Sequence, residues 1–380
     1  MEKFKVPLID LKREYTFLKR EIKKQIDDCL KMHHWILGEK TEELEKKMAR
    51  YLGANFAIGV ASGTDALILS LRALAIKIKK KEFFEKKDEI ITTPLTFIAT
   101  AEAIIRSGAT PVFVDIDSET FNISPPAVEK AISKNTQGIV VVHLYGRACP
   151  MTSILKIARK YNLFVVEDCA QSFGAEFKGR KLGTWGDLGA FSFFPSKNLG
   201  AYGDAGMVTT NNLSLARLVT YLRNHGQKRR YEASYIGYNS RLDSLQAAIL
   251  LAKLNYIDRF NGRRIKIAKK YTRSFLKIKN LVVPFLPKDD FEHIFHLYTL
   301  RVEGRRRDEL VNYLRKKGIE ARVYYPKLLS FMKRISSLAK VKNIENTLKI
   351  HKEIFSLPIH PFLEDVQVKY VVSKVEEFFR

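Results

Sequence analysis

Between residues 56 and 210 the chain alternates short apolar runs with helix-patterned stretches, and this alternation limits the fold more than any other feature. The runs Phe56–Val60, Glu89–Thr93, Pro111–Asp115, Ile139–Val142, Leu163–Glu167 and Ala190–Phe194 have strand length and strand composition. Helical stretches at 64–76, 97–106, 125–133 and 151–160 separate them. Strands about 20–30 residues apart with helices between them predict βαβ units. Their apolar character predicts a mostly parallel sheet, buried on both faces. Sheets of this kind hold ligands at the carboxyl ends of their strands. Gly63-Thr64, Thr96-Phe97 and Asp168 fall at such ends.

The flanks complete an α/β architecture. Residues 12–34 carry Tyr15, Leu18, Ile22, Ile26 and Leu30 on one helical face, and Thr41 with Glu42 and Glu43 reads as a second helix start. Arg241–Leu254 and 256–276 read as helices. After Asn280 the pattern changes to strand Phe295–Val302, helix Arg307–Lys317, strand Glu320–Tyr324 and helix Glu364–Phe379. The expectation is N-terminal helices and a large ligand-binding domain over residues 1–255, then a smaller C-terminal α+β domain over 256–380.

Composition narrows the functional classes. A chain of 380 residues exceeds one comfortable core and needs no disulfide or metal staple. Cys29, Cys149 and Cys169 are odd in number and far apart, which predicts reduced thiols in a cytoplasm. The start, Met1 to Asp10, carries acids and lacks the apolar core of an export signal. No run approaches the roughly 18 apolar residues that cross a bilayer, so a cytoplasmic protein without a membrane partner is expected. The net charge of +25 points to an anionic partner. It is diffuse, and its densest run, Lys77 to Lys87, reads as a solvated loop or helix end. With no nucleic-acid-binding motif beside it, phosphorylated small molecules are expected rather than nucleic acid.

The residues that carry chemistry cluster around Phe191-Ser-Phe-Phe-Pro-Ser-Lys-Asn-Leu-Gly200. Lys197 follows an apolar run and a proline kink and precedes Gly200, Gly203 and Gly206. A lysine held in such a turn can form an imine with a carbonyl, the bond from which pyridoxal phosphate chemistry starts. Asp168 ends a strand, where a carboxylate can keep a pyridine nitrogen protonated; it would equally cap the segment that follows. Strand alternation sends Glu167 and Asp168 to opposite faces, so only one can face a given pocket. Ser62-Gly-Thr64 between strand and helix suits a phosphate cradle as well as ordinary capping. Phe97 could stack on a flat cofactor or pack in a core. No Walker sequence or GxGxxG is present, no HExxH or close His/Asp pattern suggests a metal, and no GxSxG suggests a hydrolase.

Together these segments resemble the DegT/DnrJ/EryC1/StrS family of sugar aminotransferases, fold-type I pyridoxal phosphate enzymes of the aspartate aminotransferase superfamily. The resemblance spans Val6–Leu11, Trp35–Gly38, Ser62–Leu67, Thr96–Thr100, His143–Gly146, Glu167–Gln171, Phe191–Gly206, Arg223–Gly226, Gly237–Ala248 and Leu357–Pro361. It implies that Lys197 is the Schiff-base lysine and general base, and that Asp168 pairs with the pyridine nitrogen. Gln171 would touch the ring hydroxyl, Phe97 would stack on the ring, and Gly63, Thr64 and Ser192 would hold the phosphate. Asn239 would reach the phosphate of a neighbouring subunit, which implies a homodimer with shared active sites. His225, Arg229 and Tyr325 would face the substrate. Arg229 and Arg230 are candidates for its diphosphate, although two surface arginines would look the same.

The resemblance implies amino transfer from glutamate, leaving 2-oxoglutarate, to a nucleotide-linked keto sugar at C3, for surface polysaccharide or glycolipid. A 4-keto sugar is the alternative, as is a regulatory member that binds cofactor or sugar without catalysis. Lys197 argues against the related 3-dehydratases, which carry histidine there. The chain departs from the family pattern at Lys77–Lys87, where a tight Gly-Asp turn is common, and at Ser172-Phe-Gly174. It departs again at Phe194 and at Lys327–Ser330, which lacks a frequent histidine.

Overall fold

The computed structural model describes residues 4–380, so the first three residues of the segment read above as free of an export signal lie outside the described residues. Helices α1 (Leu11–Met32) and α2 (Glu39–Leu52) open the chain. Asp10 caps α1 by accepting from Arg13 N–H at 2.9 Å. Strand β1 (Phe56–Val60) then leads into α3 (Gly63–Leu74). There follow β2 (Glu89–Thr92), α4 (Ile98–Arg106), β3 (Thr110–Phe113), α5 (Pro125–Ala131), β4 (Thr136–Val142), α6 (Met151–Lys160) and β5 (Phe164–Asp168). Strands β6 (Leu188–Ser192) and β7 (Gly206–Thr210), then helices α7 (Leu213–Arg223), α8 (Ser244–Leu254) and α9 (Ile257–Phe275), complete this part.

The C-terminal part supplies β8 (Leu281–Val282), β9 (Tyr298–Val302), β10 (Lys340–Val341) and β11 (Ile354–Leu357). The large sheet has the order β1-β7-β6-β5-β4-β2-β3-β10. Neighbours from β6 to β10 run parallel, while β7 pairs antiparallel with both β1 and β6. Alternation along the strands builds two cores. Ile90, Val140 and Val166 pack with α3 and α7 on one face; Ile91, Ile139, Val141 and Val165 pack with α5 and α6 on the other. A three-stranded antiparallel sheet, β8-β9-β11, gathers a further core with α9 and the helices Arg307–Lys316 and Asp365–Phe379.

Three local readings need correction. The strand expected at Ala190–Phe194 runs instead over Leu188–Ser192, because Phe193 and Phe194 already belong to the turn that carries Lys197. The strand expected at Glu320–Tyr324 does not form; only Arg322 bridges to Ser356, and the chain then turns so that Tyr324 and Tyr325 wall a cavity. The glycine-rich tail after Lys197 ends in a strand, β7, that the apolar-run pattern does not announce.

The Lys77–Lys87 segment is also more than solvated loop. A π-helical turn (Ala75–Lys79) extends α3, and Arg72, fully buried beneath it, donates to Glu82 O at 2.6 Å, Ile236 O at 2.9 Å and Tyr238 Oη at 2.8 Å. Glu82 accepts in turn from Ile236 N–H at 2.8 Å, and Phe83 lies 3.5 Å from the guanidinium carbon. Among the described residues no helix is long and apolar enough to cross a membrane.

Candidate active site

A cavity of about 660 Å³ opens at the carboxyl ends of β4, β5 and β6, lined among others by Gly63, Phe97, Asp168, Ser192, Lys197 and Tyr325. The turn after β6 delivers Lys197. Phe193 N–H donates to Ala205 O at 2.8 Å, Ala201 N–H to Phe193 O at 2.7 Å, and Lys197 N–H to Phe194 O at 2.8 Å. Gly200 sits so close that a Cβ would lie 2.5 Å from Pro195 O, so a larger residue would force the turn open. Lys197 is half-buried, and burial lowers its amine to about 8, against the raising pull of the Asp168 charge. Among the described residues its amine has no hydrogen-bond partner.

Asp168 is buried at the end of β5. Its Oδ2 accepts from Thr100 Oγ1–H at 2.9 Å and its Oδ1 from Ala170 N–H at 3.1 Å. Burial raises its carboxyl, opposed by those two hydrogen bonds and by the Lys197 and His143 charges. The capping reading is therefore half met: one oxygen holds the next turn, but no helix follows it.

Glu167 points away from the cavity. It accepts from Gly183, Trp185 and Gly186 N–H at 2.7–2.9 Å and from His143 Nε2–H at 3.0 Å. His143 must carry its proton on Nε2, because Nδ1 accepts from Cys149 N–H at 3.0 Å. His143, Glu167 and Cys169 lie within metal-binding reach of one another, but these bonds already occupy both ring nitrogens and both carboxylate oxygens. Glu167→Ala would strand four donors in the interior and is expected to lower unfolding stability by about 3 kcal/mol. A thermal melt checks this; an unshifted midpoint would refute the role.

The remaining residues divide between cavity and surface. Ser62 caps α3 by accepting from Asp65 N–H at 3.1 Å, and a Cβ on Gly63 would lie 2.5 Å from Ser192 Cβ, so glycine lets the α3 start touch the end of β6. Thr64 lines the cavity beside them. Gln171 accepts from Tyr145 N–H at 2.7 Å and donates to Tyr325 Oη at 2.8 Å. Phe97 is 55% exposed, with its ring 6.0 Å from that of Tyr325, so it is not a core residue of this chain. His225, Arg229 and Asn239 are exposed and do not line the cavity. Asn239 nonetheless adjoins Ser240, whose hydroxyl donates to Asp65 Oδ2 at 3.0 Å and so ties this segment to the first turn of α3.

Sequence reasoning missed His296 and Arg264, both on the cavity wall. Asn198 Nδ2 donates to Asn261 Oδ1 at 2.8 Å, which leaves Asn198 Oδ1 to accept from His296 Nδ1–H at 3.0 Å. Burial, with the Lys197 and Arg264 charges, pushes His296 well below the usual histidine range and keeps it neutral. A histidine inside the apolar run Phe295–Val302 was the available signal.

The chain is similar to known proteins over nearly its whole length. The model of the DegT/DnrJ/EryC1/StrS aminotransferase family matches residues 17–376. A Geobacillus stearothermophilus protein named pleiotropic regulatory protein is 43% identical over 99% of each chain. The dTDP-3-amino-3,6-dideoxy-alpha-D-galactopyranose transaminase of Aneurinibacillus thermoaerophilus is 41% identical, over 98% of this chain and 99% of its own. The crystal structure of S. venezuelae DesV in complex with a ketimine intermediate superposes with a TM-score of 0.92 at 36% identity, covering 99% of this chain and 98% of that one. A buried strand-end carboxylate and a depressed lysine sharing one cavity, on a sheet of this order and with these likenesses, place the chain in the DegT/DnrJ/EryC1/StrS aminotransferase family.

Proposed function

We propose that this protein moves the amino group of glutamate onto the C3 ketone of a nucleotide-linked sugar, using pyridoxal phosphate held at the floor of the cavity. One observation carries the reading: Lys197, its amine free and lowered to about 8, shares a cavity with buried Asp168. The residues present fit the cofactor. The contact between Gly63 and Ser192 at the α3 start makes a cradle of backbone N–H groups suited to a phosphate. When bound, pyridoxal phosphate supplies an electron sink for the carbanion formed at the donor carbon.

The chain's own groups do the rest. Lys197 would hold the cofactor as an imine, its neutral amine adding to the aldehyde carbon with loss of water, and would carry the proton at the donor's reacting carbon. Asp168, its oxygens fixed by Thr100 and Ala170, holds the ring nitrogen's proton. Gln171, steadied by Tyr145 and Tyr325, would meet the ring hydroxyl. Phe97 would stack on the ring, and Tyr325 would face the sugar. His225, Arg229 and Asn239, exposed on one chain, reach the site of a second copy in a homodimer. Residues 1–255 form the cofactor-binding body and 256–380 the smaller α+β domain, within a cytoplasmic enzyme of amino-sugar biosynthesis. The C3 assignment follows the named reaction of the 41%-identical relative. A regulatory role, the name of the 43%-identical relative, is the second reading.

Two experiments decide. Purified protein with added pyridoxal phosphate should show a yellow absorbance that borohydride removes, and should release 2-oxoglutarate from glutamate with a 3-keto nucleotide sugar. Colourless protein, or coloured protein that turns over no 3- or 4-keto sugar, would sink the enzyme. Cofactor capture also has a defined pH dependence, because only the neutral amine attacks. An amine at about 8 is about one-tenth neutral at pH 7 and about nine-tenths at pH 9. Capture by the apoprotein should therefore speed up about tenfold across that interval and then level off. A rate still climbing above pH 9 would mean that Lys197 titrates near the ordinary 10.5.

A further inference from the structure

Between Arg322, which bridges Ser356, and the helix Glu345–His351, the C-terminal part leaves its own three-stranded sheet and crosses to the large one. This strap carries Tyr324 and Tyr325, which line the cavity of Lys197. It lends β10 to the edge of the large sheet, parallel to β3, and Lys342 N–H donates to Phe113 O at 2.9 Å. Nearer the cavity, Leu329 N–H donates to Pro94 O at 3.1 Å, and Leu329 and Ile335 pack on Ala101 and Phe113. Asp115, just past the end of β3, ties down the far end of the strap. Its Oδ1 accepts from Thr347 N–H at 2.8 Å and Thr347 Oγ1–H at 2.7 Å, and its Oδ2 from Asn346 N–H at 2.9 Å. Thr347 is fully buried. The ion pair of Lys340 with Glu89 leaves its lysine 56% exposed and so holds weakly.

We propose that Asp115 is a positioning residue: its carboxylate clamps the strap to the large sheet and so presets the Tyr324–Tyr325 wall against which the sugar binds. This rests on the transaminase reading above. Asp115 is not among the residues that line the cavity, so it acts through packing. The helix it caps sends Leu348 and Ile350 into the apolar cluster that also holds Tyr324, Tyr325 and Leu328. From the other side Tyr145 Oη–H donates to Tyr324 O, and Gln171 donates to Tyr325 Oη at 2.8 Å. The wall is thus fixed at both ends by residues of the large sheet and its loops. A long connection left unclamped would sample many conformations, and the sugar would have to order it on binding. Ordering in advance favours sugar affinity and leaves the chemical step alone. An ordinary helix cap is the plain alternative, and it predicts a loss of stability only.

In cofactor-loaded enzyme, Asp115→Ala should raise the KM of a 3-keto nucleotide sugar about tenfold. Its kcat should stay within about twofold of the parent, and 2-oxoglutarate release from glutamate alone should be unchanged. Hydrogen exchange at the Leu329 and Lys342 amides should quicken about tenfold, while the β9–β11 ladder keeps its parent rates. Thr347→Val removes only a hydroxyl and should move both readings the same way, by less. Unchanged exchange in Asp115→Ala overturns the clamp. Quickened exchange with the parent's sugar KM overturns the positioning role and leaves a cap. Equal losses with glutamate and with sugar mean general damage and overturn it too. If Asp115→Ala does not fold, an unchanged sugar KM in Thr347→Val overturns the proposal. A wild type that aminates no sugar retires the transaminase reading, whereas quickened exchange in Asp115→Ala would still support the clamp.

Discussion

Lys197→Ala is expected to lower amino transfer by about 10⁴-fold or more, because one side chain serves as both the imine-forming amine and the proton carrier. The fold should survive. The residue is half-buried, its amine has no hydrogen-bond partner among the described residues, and the turn around it is held by the backbone bonds of Phe193, Ala201 and Lys197 itself. Cofactor should still occupy the cradle at the α3 start, but without the borohydride-sensitive absorbance. Single-turnover rates with glutamate, alongside a thermal melt, check both halves. A variant that melts like the parent and retains more than about a hundredth of its rate would remove Lys197 from the chemistry.

Asp168→Asn is expected to cost about 10²–10³-fold in turnover, the scale set by removing one partner of a buried charge pair. Asparagine can still accept from Thr100, yet its neutral amide cannot hold a proton on the ring nitrogen. Burial already strains the carboxylate toward its neutral form, and the two hydrogen bonds from Thr100 and Ala170 oppose that drift. Asp168→Asn should therefore also release cofactor faster on dialysis, while Thr100→Val, which removes one of those bonds, should show a smaller loss of the same sign. Turnover at saturating glutamate and the dialysis rate measure the two. Equal turnover in Asp168→Asn and the parent would exclude any part for this carboxylate.

The sheet was legible because its strands announce themselves one at a time, as apolar runs between helices. β7 was not, since its partners lie far back at β1 and in the strand before the glycine-rich turn, and glycines there hide a strand of Met207-Val-Thr-Thr210. The reactive lysine could be found from its neighbours along the chain. Arg264 could not be told from Arg263 by composition: Arg263 faces outward and pairs with Asp365 at 2.8 Å, whereas its neighbour is buried. The clue lay in register, for Arg264 falls in the apolar stripe of Phe260, Ile267, Ala268, Tyr271 and Phe275. A cation in such a stripe faces the interior, and only packing reveals which cavity receives it. His225, Arg229 and Asn239 sit outside this chain's cavity, a placement that no single-chain pattern specifies.

The buried Arg72 gives the basic insertion a mechanical task separable from its charge. Glu82 and Phe83 clasp Arg72 and Ile236, and Ile236 lies three residues before Asn239 on the exposed segment. Cutting Glu82 would free the main chain at Ile236 and loosen the exposed segment that carries Asn239.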